Sequence, residues 1–259
     1  MLTARLSPGD DAVVGVGKAV AVTLSRDVES AAARAAVTAR LSVRTTPAAP
    51  GAWRWMDART VHYRPAAFWR PGTKVSVRVD LTRLGLPDGT WGSGGRTTRF
   101  TVGDALVSTV DVRRKTMTVR RNGAVVRIMK ASMGRPEFPT RNGTFVVLEK
   151  FRHKIMDSAT LDLPPGTPAY RLGVDHAVRI TNSGTFTHSA PWSVRDQGRR
   201  NVSHGCINLS PADAAWYFAQ ARRGDVVQVV GSTQGPVSWD AGPQDWNTSF
   251  AAWRATALG

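Results

Sequence analysis

"KTMTVRRNGAVVRIMKAS" (115–132) decides the fold of the second half of this chain. Two strand-like runs flank Asn122-Gly123, and Asn-Gly is the pair that best tolerates the positive φ angles of a two-residue hairpin turn. The segment therefore predicts a β-hairpin. Downstream, "GTFVVLEKF" (143–151), "AVRITNSGTFTHS" (177–189) and "DVVQVVG" (225–231) continue the β pattern. One helix interrupts it. Ser210 is placed to cap that helix, Pro211 suits its first position, Asp213 its first turn, and Gly224 follows Arg222-Arg223 at its end. Trp216, Phe218 and Ala219 are expected to form part of its packed face.

Upstream, the composition changes at "RFTVGDALVS" (99–108), which places a boundary near Gly103. Before it, "AVAVTL" (19–24) and "KVSVRVDL" (74–81) read as half-buried strands. Turn-formers such as Pro50-Gly51, Pro71-Gly72 and Pro87-Asp88-Gly89 punctuate the region. The exception is "SAAARAAVTARL" (30–41), whose alanines favour a short helix. Short strands separated by such turns predict a small sandwich without a disulfide. The expected fold class is thus mainly β. A sandwich domain covers 1–103, a β-rich second domain with one marked helix covers 104–231, and an extension covers 232–259. Trp239, Trp246 and Trp253 are expected to pack that extension back onto the other domains, because three exposed indoles would be a costly surface.

The formal charge is +16, from 35 Lys and Arg against 19 Asp and Glu. Arginines are scattered, with only short pairs such as Arg113-Arg114 and Arg199-Arg200. Without basic clusters interleaved with stacking aromatics, nucleic acid is not an expected partner. The charge fits a basic surface or attraction to an anionic matrix. No apolar run approaches the roughly 18 residues that a membrane span needs. "MLTARLSPGDDAVVGVGKAV" (1–20) also lacks the basic–apolar–small order of a leader peptide.

The chain uses cysteine once, at Cys206 in "SHGCINLS" (203–210). From the residues alone, three readings stand. Cys206 is a nucleophile, with His188 or His204 taking its proton; a zinc ligand beside those two histidines; or an inert thiol. A structural zinc site needs four ligands and no CxxC pair exists, so the nucleophile leads. A free thiol has a pKa near 8.5, so it needs a base at neutral pH. His204 lies at i−2, on the same face of an extended stretch, but His188, brought in by the fold from 18 residues upstream, is the expected base. Gly205 removes a side chain, which lets the Gly205 and Cys206 amides approach a tetrahedral oxyanion. Asn208 is placed to hold the loop through its amide.

"HSAPWSVRDQGRRNVSHGCINLSP" (188–211) resembles the active-site signature of L,D-transpeptidases, the YkuD-type cysteine acyltransferases of peptidoglycan. The resemblance rests on a histidine, a 14-residue spacer, then Ser203-His204-Gly205-Cys206-Ile207-Asn208. It extends over nearly the whole chain. "HKIMDSAT" (153–160) and "PAYRLGV" (168–174) resemble the flanks of the lid in the actinobacterial enzymes, and "RTTPAAPGAWRW" with "FWRPGTKVSV" resembles their preceding immunoglobulin-like module.

The resemblance implies a 3→3 cross-linking transpeptidase that works through a cysteine thioester and releases D-alanine. The alternative is a carboxypeptidase or endopeptidase using the same Cys-His pair. It implies that His188 pairs with Cys206, that the backbone carbonyl of Ser189 holds the other ring nitrogen, and that His204 lies in the oxyanion region. Asp196 need not be a triad member. Met156 and Tyr170 would line the acyl-donor path, with Trp192, Ser203 and Asn208 as further substrate contacts. No metal or organic cofactor is expected. The implied partners are donor and acceptor stem peptides, with carbapenem-type β-lactams as covalent inhibitors. The implied location is the cell envelope, with any leader or anchor outside this sequence.

Overall fold

A computed structural model describes residues 1–160, 169, 171–236 and 245–255. It divides into two compact units, one of residues 1–104 with 248–259, the other of 105–247. Tyr170 and Trp239 lie outside the described residues.

The first unit is a sandwich of two four-stranded sheets. Strands β1 (Ala4–Ser7), β3 (Val20–Leu24), β6 (Thr60–Pro65) and β5 (Gly51–Trp55) form one sheet in that order. Strands β2 (Ala12–Val14), β8 (Gly95–Val102), β7 (Lys74–Asp80) and β4 (Leu41–Thr46) form the other. β7 shows why the sheets pack: Val75, Val77 and Val79 alternate inward and are buried. Helix α1 (Ala31–Thr38) starts where Ser30 accepts the Ala33 N–H at 3.2 Å. It stops short of the expected end, because Leu41 already begins β4. Helix α3 (Phe250–Ala255) closes this unit. Trp253 is fully buried, donates Nε1–H to Ala52 O at 3.0 Å, and lies under the guanidinium groups of Arg54 and Arg64.

The second unit is built on a nine-stranded sheet. Its strands are β9 (Leu106–Asp111), β10 (Thr116–Arg121), β11 (Ala124–Ser132), β12 (Gly143–Val146), β13 (Glu149–Asp157), β14 (Arg171–Arg179), β15 (Phe186–Ser189), β16 (Ile207–Leu209) and β17 (Val226–Val230). Their spatial order is β12-β17-β9-β10-β11-β16-β15-β14-β13. The β10–β11 hairpin turns at Asn122 (φ 49°) and Gly123 (φ 89°), the positive pair that this turn requires. Two expected strands are broken. "AVRITNSGTFTHS" splits at Thr181–Thr185, where Thr181 accepts the Gly184 and Thr185 amides, and "GTFVVLEKF" splits after Val146.

Helix α2 (Pro211–Gln220) is capped by Ser210, which accepts the Asp213 N–H at 3.1 Å. The packed face includes Trp216 and Phe218 as expected, but not Ala219. Ala214 and Tyr217 are its buried residues, Trp216 and Phe218 pack only in part, and Ala219 is exposed. The spacing explains this, since 214, 217 and the buried Ala221 just beyond the helix fall on one side at steps of three and four.

Asp225, just before β17, is wholly buried. Its Oδ2 accepts the Arg222 N–H at 2.7 Å, while Oδ1 has no partner among the described residues. Burial pushes its carboxyl up to about 7. A carboxyl whose folded pKa lies above its unfolded value stabilises the fold at low pH and loses that contribution as pH rises. Here the loss runs from the ordinary value near 4 up to about 7, then levels off. Asp225→Asn keeps an acceptor and removes the charge. Its melting temperature is expected to match wild type near pH 4 and to exceed it increasingly up to pH 7. In unfolding free energy the gap should reach on the order of 2–4 kcal/mol. A gap independent of pH would mean the carboxyl is not held protonated.

Candidate active site

Strands β15 and β16 build the site between them. They pair in parallel, with Thr187 opposite Ile207, His188 opposite Asn208 and Ser189 opposite Leu209. Side chains alternate along a strand. Ile207 and Leu209 point into the core, so Asn208 and Cys206 take the opposite face. His188 and Phe186 share that face from β15. Cys206 immediately precedes β16, and the register places His188 on the neighbouring strand opposite Asn208, two residues beyond Cys206. All four side chains line a cavity of about 590 Å³. Met156, Leu172, Val174 and Trp192 supply apolar wall; Lys154, Arg171 and Arg179 are its cations, with Arg171 facing Asp157, which also lines the cavity, and Arg179 paired with Glu149.

His188 is 5% exposed, and its Nδ1 lies 2.9 Å from Ser189 O. A carbonyl can only accept, so Nδ1 carries the hydrogen and Nε2 is left as the basic nitrogen. Burial lowers the His188 pKa, partly offset by the Ser189 carbonyl, so the ring is neutral at pH 7. The Trp192 ring, 52% exposed, lies 6.1 Å from the imidazole at a tilt of 31°. Asp196 is engaged elsewhere, in an ion pair with Arg200 at 2.6 Å.

Cys206 is half-buried and, like Met156, packs against the cluster of Val174, Ala177 and Phe186. Burial pushes its thiol up to about 11, against a smaller lowering by the Phe186 amide. Its Sγ lies 3.7 Å from Gly184 O, a carbonyl to which only a protonated thiol can donate. His204 is neutral too, its pKa lowered by burial and by Arg135. Among the described residues no three His, Cys, Asp or Glu side chains converge as a metal site, and this includes His188, His204 and Cys206.

The turn before Cys206 is tightly tied. Ser203 Oγ accepts the Gly205 N–H at 3.1 Å and donates to Cys206 O at 2.6 Å. The Gly205 amide, expected to face an oxyanion, is therefore engaged with Ser203. Gly205 has φ 115°, a conformation that L side chains rarely adopt. Asn208 Nδ2 donates to Ser193 Oγ at 3.1 Å, which pins β16 to the 3₁₀ turn Pro191–Ser193.

Cys206, His188, Ser203, His204, Asn208, Met156 and Trp192 thus come together, with Ser189 and Gly205 behind them. Sequence reasoning passed over Gly184, Arg179 and Asn182. The Asn182-Ser183-Gly184 run, a turn signal just ahead of β15, was the sign available for Gly184.

A cysteine and a neutral histidine on one cavity face, held by a backbone carbonyl and a glycine turn, define a thiol acyltransferase type of site. The comparisons give the family. Residues 106–229 match the model of the L,D-transpeptidase catalytic domain, and residues 1–84 match a bacterial Ig domain. The chain is 43% identical over 249 residues to L,D-transpeptidase 2 of Mycobacterium tuberculosis, covering 96% of this chain and 60% of that protein. It is 42% identical over 229 residues to L,D-transpeptidase 1 of the same species, covering 88% and 84%. Among solved structures it is similar to LD transpeptidase LdtMt1 in complex with imipenem (TM-score 0.77, 40% identity, 89% of this chain and 100% of that one). It is also similar to an L,D-transpeptidase from Mycobacterium smegmatis (TM-score 0.73, 38% identity, 89% and 100%). The chain belongs to the L,D-transpeptidase family.

Proposed function

We propose that this protein is a peptidoglycan L,D-transpeptidase that forms 3→3 cross-links through a thioester on Cys206. The single observation that carries this reading is the shared cavity face of Cys206 and a neutral, correctly protonated His188. As the donor stem enters, His188 Nε2 takes the thiol proton while Sγ attacks the carbonyl between stem residue three and the terminal D-alanine. The Cys206 N–H and the His204 region stabilise the oxyanion. The C–N bond then breaks, His188 returns the proton to the departing amine, and a thioester remains. The side-chain amine of a second stem attacks that thioester, and the thiol is regenerated. Every step uses groups of this chain and its substrates.

The positive residues around the cavity suit the carboxylates of stem peptides, and the +16 charge suits anionic wall polymers outside the cytoplasmic membrane. Among the described residues no helix is long and apolar enough to cross a membrane. Imipenem is present in the structure of a relative, and we expect carbapenems to acylate Cys206 in this chain. The immunoglobulin-like domain serves as a spacer within the wall.

Incubation with purified tetrapeptide muropeptides, followed by mass analysis, tests the reading. Cross-linked dimer with release of D-alanine is expected. Free tripeptide without dimer would make the protein a carboxypeptidase, and no conversion would end the proposal.

A further inference from the structure

The loop 133–140 holds the catalytic turn from beneath. The Ser203 N–H donates to Met133 O and the Arg135 N–H to Ser203 O, both at 3.0 Å. Thr140, 2% exposed, supplies the third tie: its Oγ1 accepts the Gly134 N–H at 2.9 Å and donates to Gly205 O at 2.8 Å. Thr140 is not among the residues that line the cavity. Gly134 lets the loop close this tightly, since a Cβ there would lie 2.0 Å from Phe138 O.

The bond to Gly205 O has a consequence one atom further on. In a trans peptide the C=O and the following N–H lie in one plane and point in opposite directions. Drawing the Gly205 carbonyl down onto Thr140, which lies outside the cavity lining, turns the Cys206 N–H the other way, away from Thr140. Gly205 at φ 115° has no side chain to resist another orientation of this peptide, so a hydrogen bond must choose it. Ser203 Oγ fixes the other flank through Cys206 O.

We propose that Thr140 is a positioning residue that sets the Cys206 amide as the oxyanion donor. The proposal rests on the acyl-transfer reading above. It separates two reactions of one sulfur. When imipenem acylates Cys206, the Sγ–C bond forms, the lactam C–N bond breaks, and the thiol proton passes through His188 to the lactam nitrogen. The carbonyl oxygen carries negative charge on the way. When iodoacetamide alkylates Cys206, the Sγ–C bond forms, iodide leaves and the proton goes to solvent, with no oxyanion.

Thr140→Val, which keeps the shape and removes the hydroxyl, is expected to slow imipenem acylation by about 10- to 100-fold. Alkylation, measured at the same pH by intact mass, should stay within about threefold, as no donor is needed there. Thr140→Ser restores acylation. If Thr140→Val does not fold, Thr140→Ala takes its place with the same expected split. Equal losses in both reactions, unchanged acylation, or a serine variant that fails to recover would overturn the positioning role alone. A wild-type protein that imipenem does not acylate would overturn the acyl-transfer reading and this inference with it.

Discussion

Cys206→Ala is expected to form no covalent adduct with imipenem, and His188→Ala to form it about 10²–10⁴ times more slowly than wild type at pH 7. The first follows because the chain has no other cysteine. The second follows from the thiol itself. With its pKa pushed up to about 11, Cys206 holds only about one thiolate in 10⁴ at pH 7, so attack must be coupled to proton removal. His188 is placed to remove it, with Nδ1–H tied to Ser189 O and Nε2 left basic. The defect should shrink as pH rises, because hydroxide progressively supplies the thiolate that the missing imidazole cannot. His188→Gln, closer in volume, should behave likewise. Intact-mass time courses between pH 6 and 10 measure both effects. Near-normal acylation by His188→Ala at pH 7 would remove His188 as the base.

The strands and the helix start were legible because their signals are local. Asn122-Gly123 encodes its own turn, Val75, Val77 and Val79 show their alternation directly, and Ser210 with Pro211 announces a helix start within two residues. The contacts that complete the site are not local. β15 and β16 are four and three residues long, and their parallel pairing depends on a crossover through 190–206 that no periodicity reveals. Likewise, nothing in the "PT" of "EFPTRNG" marks Thr140 as the group that bonds to Gly205, 65 residues away. Residue types could suggest that the Gly205 amide would be an open donor, but not that Ser203 Oγ would accept it. That contact depends on the backbone angles of the turn. Ala219 is a different kind of miss, because Ala214, Tyr217 and Ala221 were readable at steps of three and four, on a face that Ala219 does not share.

Alkylation of Cys206 by iodoacetamide should be slow at pH 7 and accelerate about tenfold per pH unit up to about pH 10, a gain on the order of 10³, before levelling near 11. A thiolate–imidazolium pair formed in the free protein would behave in the opposite way, with a plateau already reached near neutrality. Both shifts oppose such a pair, since burial raises the thiol and lowers the imidazole. The Gly184 carbonyl adds to this, because it is an acceptor that favours S–H over the anion. The resting state is therefore a neutral pair, and the charge appears only when a carbonyl is present to receive the sulfur's electrons. This explains how an accessible, solitary thiol can be spared indiscriminate alkylation and oxidation, which follow thiolate character. It also makes the amide donors beside Cys206 more important, because the transition state must acquire both its charges within the cavity. An alkylation rate that is flat from pH 6 to 9 would show that the thiolate is preformed, and proton transfer would then precede attack instead of accompanying it.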